Sequence, residues 1–221
     1  MVMTSQYLLH FSLTLALFRV LEAETGEITL DGENIAGLGL QKLRQSITII
    51  PQDPVLFSST LRFNLDPSKE YPDQRILECL QLAGLGDAGS DLDVEVQERG
   101  ENFSVGQRQL ICLARALLRS SRILVLDEAT AAVDPDTDAV VQRTVREQFQ
   151  GCTVVTIAHR LNTVLDSDRV LVLEAGRVKE IGAPDQLLAD SNSALYSLAA
   201  HAGISRHLQA QHEAQEIGKP S

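Results

Sequence analysis

Two adjacent carboxylates, Asp127 and Glu128, close a short apolar run, Ile123-Leu124-Val125-Leu126. A buried strand that delivers acids at its carboxyl end puts them where open α/β sheets bind ligands. The first acid suits a magnesium ion, which takes few protein carboxylates and completes its shell with water and phosphate oxygens. The second can orient or deprotonate an attacking water. Strands also end in solvated acids, so the pair alone leaves both readings open. Upstream, Ser104, Val105, Gly106 and Gln107 open a strongly amphipathic stretch. Ser104 with Gln107 three residues later is a capping-box pattern. A helix start offers unpaired N–H groups and the positive end of the macrodipole. Gly106 has no side chain to hold an anion away, so the stretch suits a phosphate. Taken by itself, a capping box is more often structural.

The helix that must carry the first group has its apolar stripe at Leu110, Leu113, Ala114, Leu117 and Leu118. Other elements follow from periodicity and breakers. EITLDGENI after Gly26 reads as a strand with Ile28 and Leu30 alternating, then a turn at Asp31-Gly32. Leu40 to Gln45 is a short helix, and Ser46 to Ile50 a strand broken by Pro51-Gln52-Asp53-Pro54. A helix is expected from about Asp73 to Ala83, then a Gly- and Asp-rich loop over 84–93. Pro135 opens a helix at its favoured first position. Cys152 to Ile157 is an apolar strand with His159 beyond its end. Strands follow at Asp168 to Leu173 and Arg177 to Ile181, and a terminal helical region begins over Pro184 to Ala189. Residues 206–221 are polar and patternless, the composition of a disordered tail.

At 221 residues the chain has room for one α/β domain with a sizeable core. Hydrophobic content of 44% and charged content of 22% are those of a soluble globular protein. A net charge of −11 argues against a nucleic-acid surface, which needs a basic stripe. No apolar run reaches the length of about 18 residues that a membrane span requires. Cys79, Cys112 and Cys152 are odd in number and lack metal-type spacing, so reduced thiols are expected.

In chain order, IIPQDPVLFSSTLRFNLDP, FSVGQRQ, ILVLDEAT, AAVD and TIAHRL resemble the motifs of the ATP-binding cassette (ABC) ATPases. Gln52 matches the Q-loop glutamine, Phe103 to Gln107 the signature, Ile123 to Glu128 the Walker B strand, Ala131 to Asp134 the D-loop and His159 the switch histidine. Phe103 stands for the more usual leucine, a tolerated apolar swap. The fuller wording is most similar to the second nucleotide-binding domain of multidrug-resistance-associated, C-subfamily transporters over about residues 12 to 200. Cassettes of the DNA-repair group carry long coiled-coil insertions between Q-loop and signature, and the spacing here has no room for one.

The resemblance implies an α/β cassette of the P-loop NTPase type over 12–205. Its mostly parallel sheet is flanked by helices, with an inserted helical subdomain at about 58–118. It implies ATP and Mg2+, with Asp127 and Gln52 at the metal and Glu128 as general base. His159 and Gln52 would read the γ-phosphate. Ser104, Val105, Gly106, Gln107 and Asp134 would serve ATP held between this domain and a second cassette, paired head to tail. On this basis Gly106→Asp is expected to block pairing while leaving the fold intact. Glu98 to Glu101 resembles the stretch that senses transmembrane domains. The implied setting is the cytoplasmic face of a membrane, within an integral transporter exporting organic or conjugated substrates.

Residues 1–11 depart from the family. No G-x-x-x-x-G-K-S or G-x-x-x-x-G-K-T run occurs in the chain. With a helix at Ser12 to Leu21 aligned to the one after the P-loop, Thr4, Tyr7 and Leu9 fall where the loop's glycines belong. His10 falls at the lysine and Phe11 at the magnesium-binding hydroxyl. No Lys or Arg precedes Arg19, which speaks against a signal peptide. The expectation is a sequence beginning downstream of the P-loop and its strand, with a core strand unpaired and ATP binding impaired. The alternative is a cassette that binds no nucleotide and acts only as an interaction module.

Overall fold

A computed structural model describes residues 2–4, 7–127, 133–158 and 161–201, with side chains at all of these but 2–4, 7–11, 87, 88 and 162. In chain order the strands are β1 (Val2–Thr4), β2 (Thr29–Leu30), β3 (Glu33–Asn34), β4 (Ile47–Ile50) and β5 (Ser59–Thr60), then β6 (Glu95–Val96), β7 (Ile123–Asp127), β8 (Thr153–Ile157), β9 (Val170–Glu174) and β10 (Arg177–Gly182). The helices are α1 (Tyr7–Leu17), α2 (Leu40–Ser46), α3 (Leu61–Leu65), α4 (Asp73–Leu82) and α5 (Val105–Arg119), then α6 (Pro135–Gln148), α7 (Leu161–Leu165), α8 (Pro184–Ala189) and α9 (Ala194–His201). Short 3-10 turns at Gly86–Gly89 and Glu98–Gly100 interrupt stretches that otherwise read as loop.

Local chemistry accounts for the boundaries. Asp31 and Gly32 both have positive φ, 50° and 84°, the turn that matches the twist of the β2–β3 hairpin. Ala175 and Gly176 repeat that solution between β9 and β10. Thr60 caps α3 by accepting the Phe63 N–H, and Asp134 caps α6 with Pro135 in the first turn. α1 begins earlier and ends earlier than Ser12 to Leu21. Arg19 takes a left-handed φ of 48°, which stops the helix, and its guanidinium donates to the Ile35 and Leu38 carbonyls.

The described residues fall into two compact units, one drawn from 1–13 and 157–221, the other from 14–156. In the first, β9 pairs antiparallel with β10 and parallel with β1, through Val2↔Leu171, Met3↔Val172 and Thr4↔Leu173. Val2 also pairs parallel with Ile157. The expected loss of a core strand is thereby corrected, since residues 2–4 supply one. Three residues are too few for alternation to reveal a strand, and its partners are more than 150 positions away in sequence. Val164, Val170 and Leu195 form the centre of this unit's core.

In the second unit β7 lies between β4 and β8. β4 and β7 run parallel and in register from Ile47↔Ile123 to Ile50↔Leu126. The crossover between them holds α3, α4 and α5 together with the small β5–β6 ladder, so the expected helical insertion is present and carries two strands as well. α5 is the centre of the packing, with 10 of its 15 residues buried. Ile111, Leu113 and Ala114 are fully enclosed beside Leu61, Ile76 and Leu124. Leu113→Ala should cost about 2–5 kcal/mol by loss of transfer energy plus a cavity; equilibrium denaturation checks it.

Candidate active site at the carboxyl ends of β4 and β7

Strand register decides what meets at the sheet edge. Because Ile50 pairs with Leu126 in a parallel ladder, Pro51-Gln52 and Asp127 leave the sheet at the same end. Asp127 is half-buried at the end of β7, and Gln52 is exposed in the loop after β4. One carboxylate and one amide oxygen are hard donors of the kind magnesium takes, a few from protein and the rest from phosphate and water. Among the described residues no cluster of three or more His, Cys, Asp or Glu forms a metal cage. Glu128, His159 and the Ala131-Ala132 half of the expected D-loop lie outside the described residues.

The start of α5 is built as the capping box requires. The Ser104 hydroxyl accepts the Gln107 N–H at 3.1 Å, and the Gln107 side-chain oxygen accepts the Ser104 N–H at 2.9 Å. Two donors of this helix end are therefore satisfied internally, and those of Val105 and Gly106 are what remain of the first turn. Beside them stands the N-cap of α6. Asp134 accepts the Thr137 N–H at 3.0 Å on one carboxylate oxygen and the Thr137 hydroxyl at 2.7 Å on the other. The Thr137 N–H, then its hydroxyl, hold the Asp134 carboxyl below the ordinary aspartate range.

Gly106 faces the start of α6. A Cβ placed there would lie 2.9 Å from the Thr137 hydroxyl oxygen and 3.4 Å from a carboxylate oxygen of Asp134. The glycine therefore answers a packing demand as well as any access for an anion. This corrects the expectation that Gly106→Asp would spare the fold, because any side chain at 106 must displace Thr137.

Three polar side chains of α5 organise the neighbouring loops, and sequence reading did not single them out. Gln109, only 1% exposed, donates to the Pro51 carbonyl at 3.3 Å, the residue before Gln52. Arg115 donates to the Val55 carbonyl at 2.8 Å and to the carbonyl and side-chain oxygens of Asn64. Buried Asn64 grips Phe57 through both its N–H and its carbonyl. Arg108 donates to the Phe103 carbonyl at 2.7 Å and also reaches that of Gly100. The signal was present: Gln109 lies four residues before Leu113, a polar residue on the apolar stripe. Burial lowers the Arg115 pKa from its ordinary value, the expected cost of a guanidinium held among carbonyls.

A sequence-family model described as ABC transporter matches residues 12–131. The chain belongs to the ABC transporter family. It is 53% identical over 197 residues to ATP-binding cassette sub-family C member 2 of Rattus norvegicus, covering 87% of this chain and 13% of that protein. It is 56% identical over 195 residues to multidrug resistance protein mrp-7 of Caenorhabditis elegans, covering 86% and 13%. Among solved structures, a bacterial Atm1-family ABC exporter with ATP bound superimposes with a TM-score of 0.84 at 32% identity, over 91% of this chain and 36% of that one. The fold is thus that of an ABC cassette, and the chain spans about an eighth of the length of its C-subfamily relatives. No described helix is long and apolar enough to cross a membrane.

Two outcomes follow from this geometry. Arg115→Met leaves the oxygens of buried Asn64 without this donor and should cost about 1–3 kcal/mol in denaturant titration. Asp134 has a folded pKa below its unfolded value, so it binds fewer protons when folded. Its contribution is present at neutral pH and fades as pH falls from about 4 through the folded value. The melting-temperature gap between wild type and Asp134→Asn should therefore be widest near pH 7 and close on acidification.

Proposed function

We propose that the chain is a nucleotide-binding cassette of an ATP-driven exporter of organic or conjugated compounds, acting at the cytoplasmic face of a membrane. The observation that carries this reading is the in-register β4–β7 pair, which brings Pro51-Gln52 and Asp127 to one edge. The ATP bound by the Atm1-family exporter and the multidrug-resistance name of the worm relative support it. Asp127 and Gln52 hold Mg2+, which when bound neutralises phosphate charge and polarises the terminal phosphoryl group. Glu128, one residue beyond Asp127, accepts a proton from the attacking water. His159 and Gln52 contact the γ-phosphate. Ser104, Val105, Gly106 and Gln107 present the free end of α5 to the ATP of a second cassette, with Asp134 beside them. Transmembrane domains are the further partner, engaged through the Q-loop region and Glu98 to Glu101.

A second reading, a cassette that pairs without binding nucleotide itself, draws on residues 1–11. No P-loop run occurs in the sequence, and Tyr7 to Phe11, where most of its positions would fall, are helical. The P-loop's backbone donors and lysine are each worth about 1.5–3 kcal/mol against phosphate. Losing even three removes about 5 kcal/mol, a weakening of over about a thousandfold.

Calorimetry with Mg-ATP should show negligible binding by the 221-residue chain and clear binding once residues 1–11 are replaced by a strand and a GxxGxGKS loop. Failure of the repaired version to bind would remove the nucleotide-binding reading, and micromolar binding by the unmodified chain would remove the impairment. In the repaired version Glu128→Gln should lower turnover by about 100- to 10,000-fold. Near-normal steady-state hydrolysis would take Glu128 out of the role.

A further inference from the structure

We propose that Thr137 is a positioning residue that locks the Asp134 carboxylate and the first turn of α5 into one arrangement, and that glycine at 106 is what admits it. The interlock stands on the geometry of these residues. Only its consequence for a nucleotide rests on the function proposed above.

Thr137 holds both oxygens of Asp134, one through its N–H at 3.0 Å and the other through its hydroxyl at 2.7 Å. A carboxylate gripped at both oxygens cannot swing about its own axis. On its other side, the same hydroxyl oxygen lies 2.9 Å from where a Cβ of residue 106 would stand, with the Thr137 methyl at 3.4 Å. Thr137 cannot yield cheaply. Its branched side chain has few χ1 options in a helix, and turning the hydroxyl away gives up the bond to Asp134. Conformation does not explain the glycine, since Gly106 lies in the first turn of α5 and is not among the positive-φ residues. Glycine inside a helix is also less stable than alanine. Space for Thr137 is therefore a reason for it beside access for an anion. A phosphate drawn against Ser104 and Gly106 would then move Asp134 together with the first turn of α5, so the two act on a nucleotide as one body.

A thermal-unfolding cycle on the 221-residue chain tests the interlock, using wild type, Gly106→Ala, Thr137→Ala and the double variant. Gly106→Ala should lower the melting temperature by several degrees in the native background and leave it unchanged or raised beside Thr137→Ala. An equal loss in both backgrounds overturns the proposal. A second measurement covers failure of Gly106→Ala to fold: carbon-13 NMR titration of the Asp134 carboxyl. Thr137→Val keeps the N–H and the shape but removes the hydroxyl, so the midpoint should rise, and Thr137→Ser should bring it back. A midpoint unmoved by Thr137→Val also overturns the proposal. Neither readout contains nucleotide, so failure here leaves the ATPase reading standing, and failure of ATP binding leaves the interlock standing.

Discussion

The guanidinium of Arg115 is carried inward by the apolar residues on either side of it, and once there it must be met by acceptors. The acceptors available are carbonyls of the loop and helix that follow Gln52, at Val55 and Asn64. Asn64 then has its side-chain oxygen engaged and its amide directed onto Phe57 and Thr60. Together with Gln109 on Pro51, these bonds anchor the segment around Gln52 at both ends to one helix. That helix begins at Ser104. The two loops expected to face nucleotide therefore share one rigid support, whose apolar contacts supply the stability and whose polar contacts supply the register.

A chain could cover the same space with leucines and bury as much apolar area. It would then leave the carbonyl of buried Asn64 bare, and an unpaired buried backbone group is among the costliest defects a fold can carry. Side-chain donors from α5 resolve this where no strand can pair. They also make the loop's position depend on a few atoms. A polar network of this kind is intolerant of partial satisfaction, since each bond relies on its neighbour for geometry. The same principle operates at the start of α5. There Ser104 and Gln107 satisfy each other, and Thr137 satisfies Asp134 across the gap that Gly106 leaves open.

Much of this was legible in the chain. The stripe from Leu110 to Leu118, the capping box, the Asp31-Gly32 turn and the apolar run before Asp127 are local patterns with local causes. They place α5, β2–β3 and β7 within a residue or two. The motif order from Gln52 to His159 identifies the family without any coordinates. β1 was not legible, because three residues carry no period and its pairing depends on β9 and Ile157, far along the chain. The early start and early stop of α1 were also hidden. Its end is set by Arg19 adopting a left-handed φ while its guanidinium reaches carbonyls at Ile35 and Leu38.

For the candidate site, residue types and their spacing determined which side chains bear the chemistry: an acid pair ending a strand, a serine and glycine opening a helix, a glutamine in a broken loop. Those properties are local to a few consecutive residues, so sequence alone suffices for them. Only the tertiary structure decided that Pro51-Gln52 and Asp127 share an edge, because that follows from a parallel register between segments more than seventy residues apart. Likewise Gly106 reads in the sequence as room for an anion, and in the fold as room for Thr137. A small residue announces that something comes close; which atom comes close is set by the packing of helices that the sequence does not place side by side.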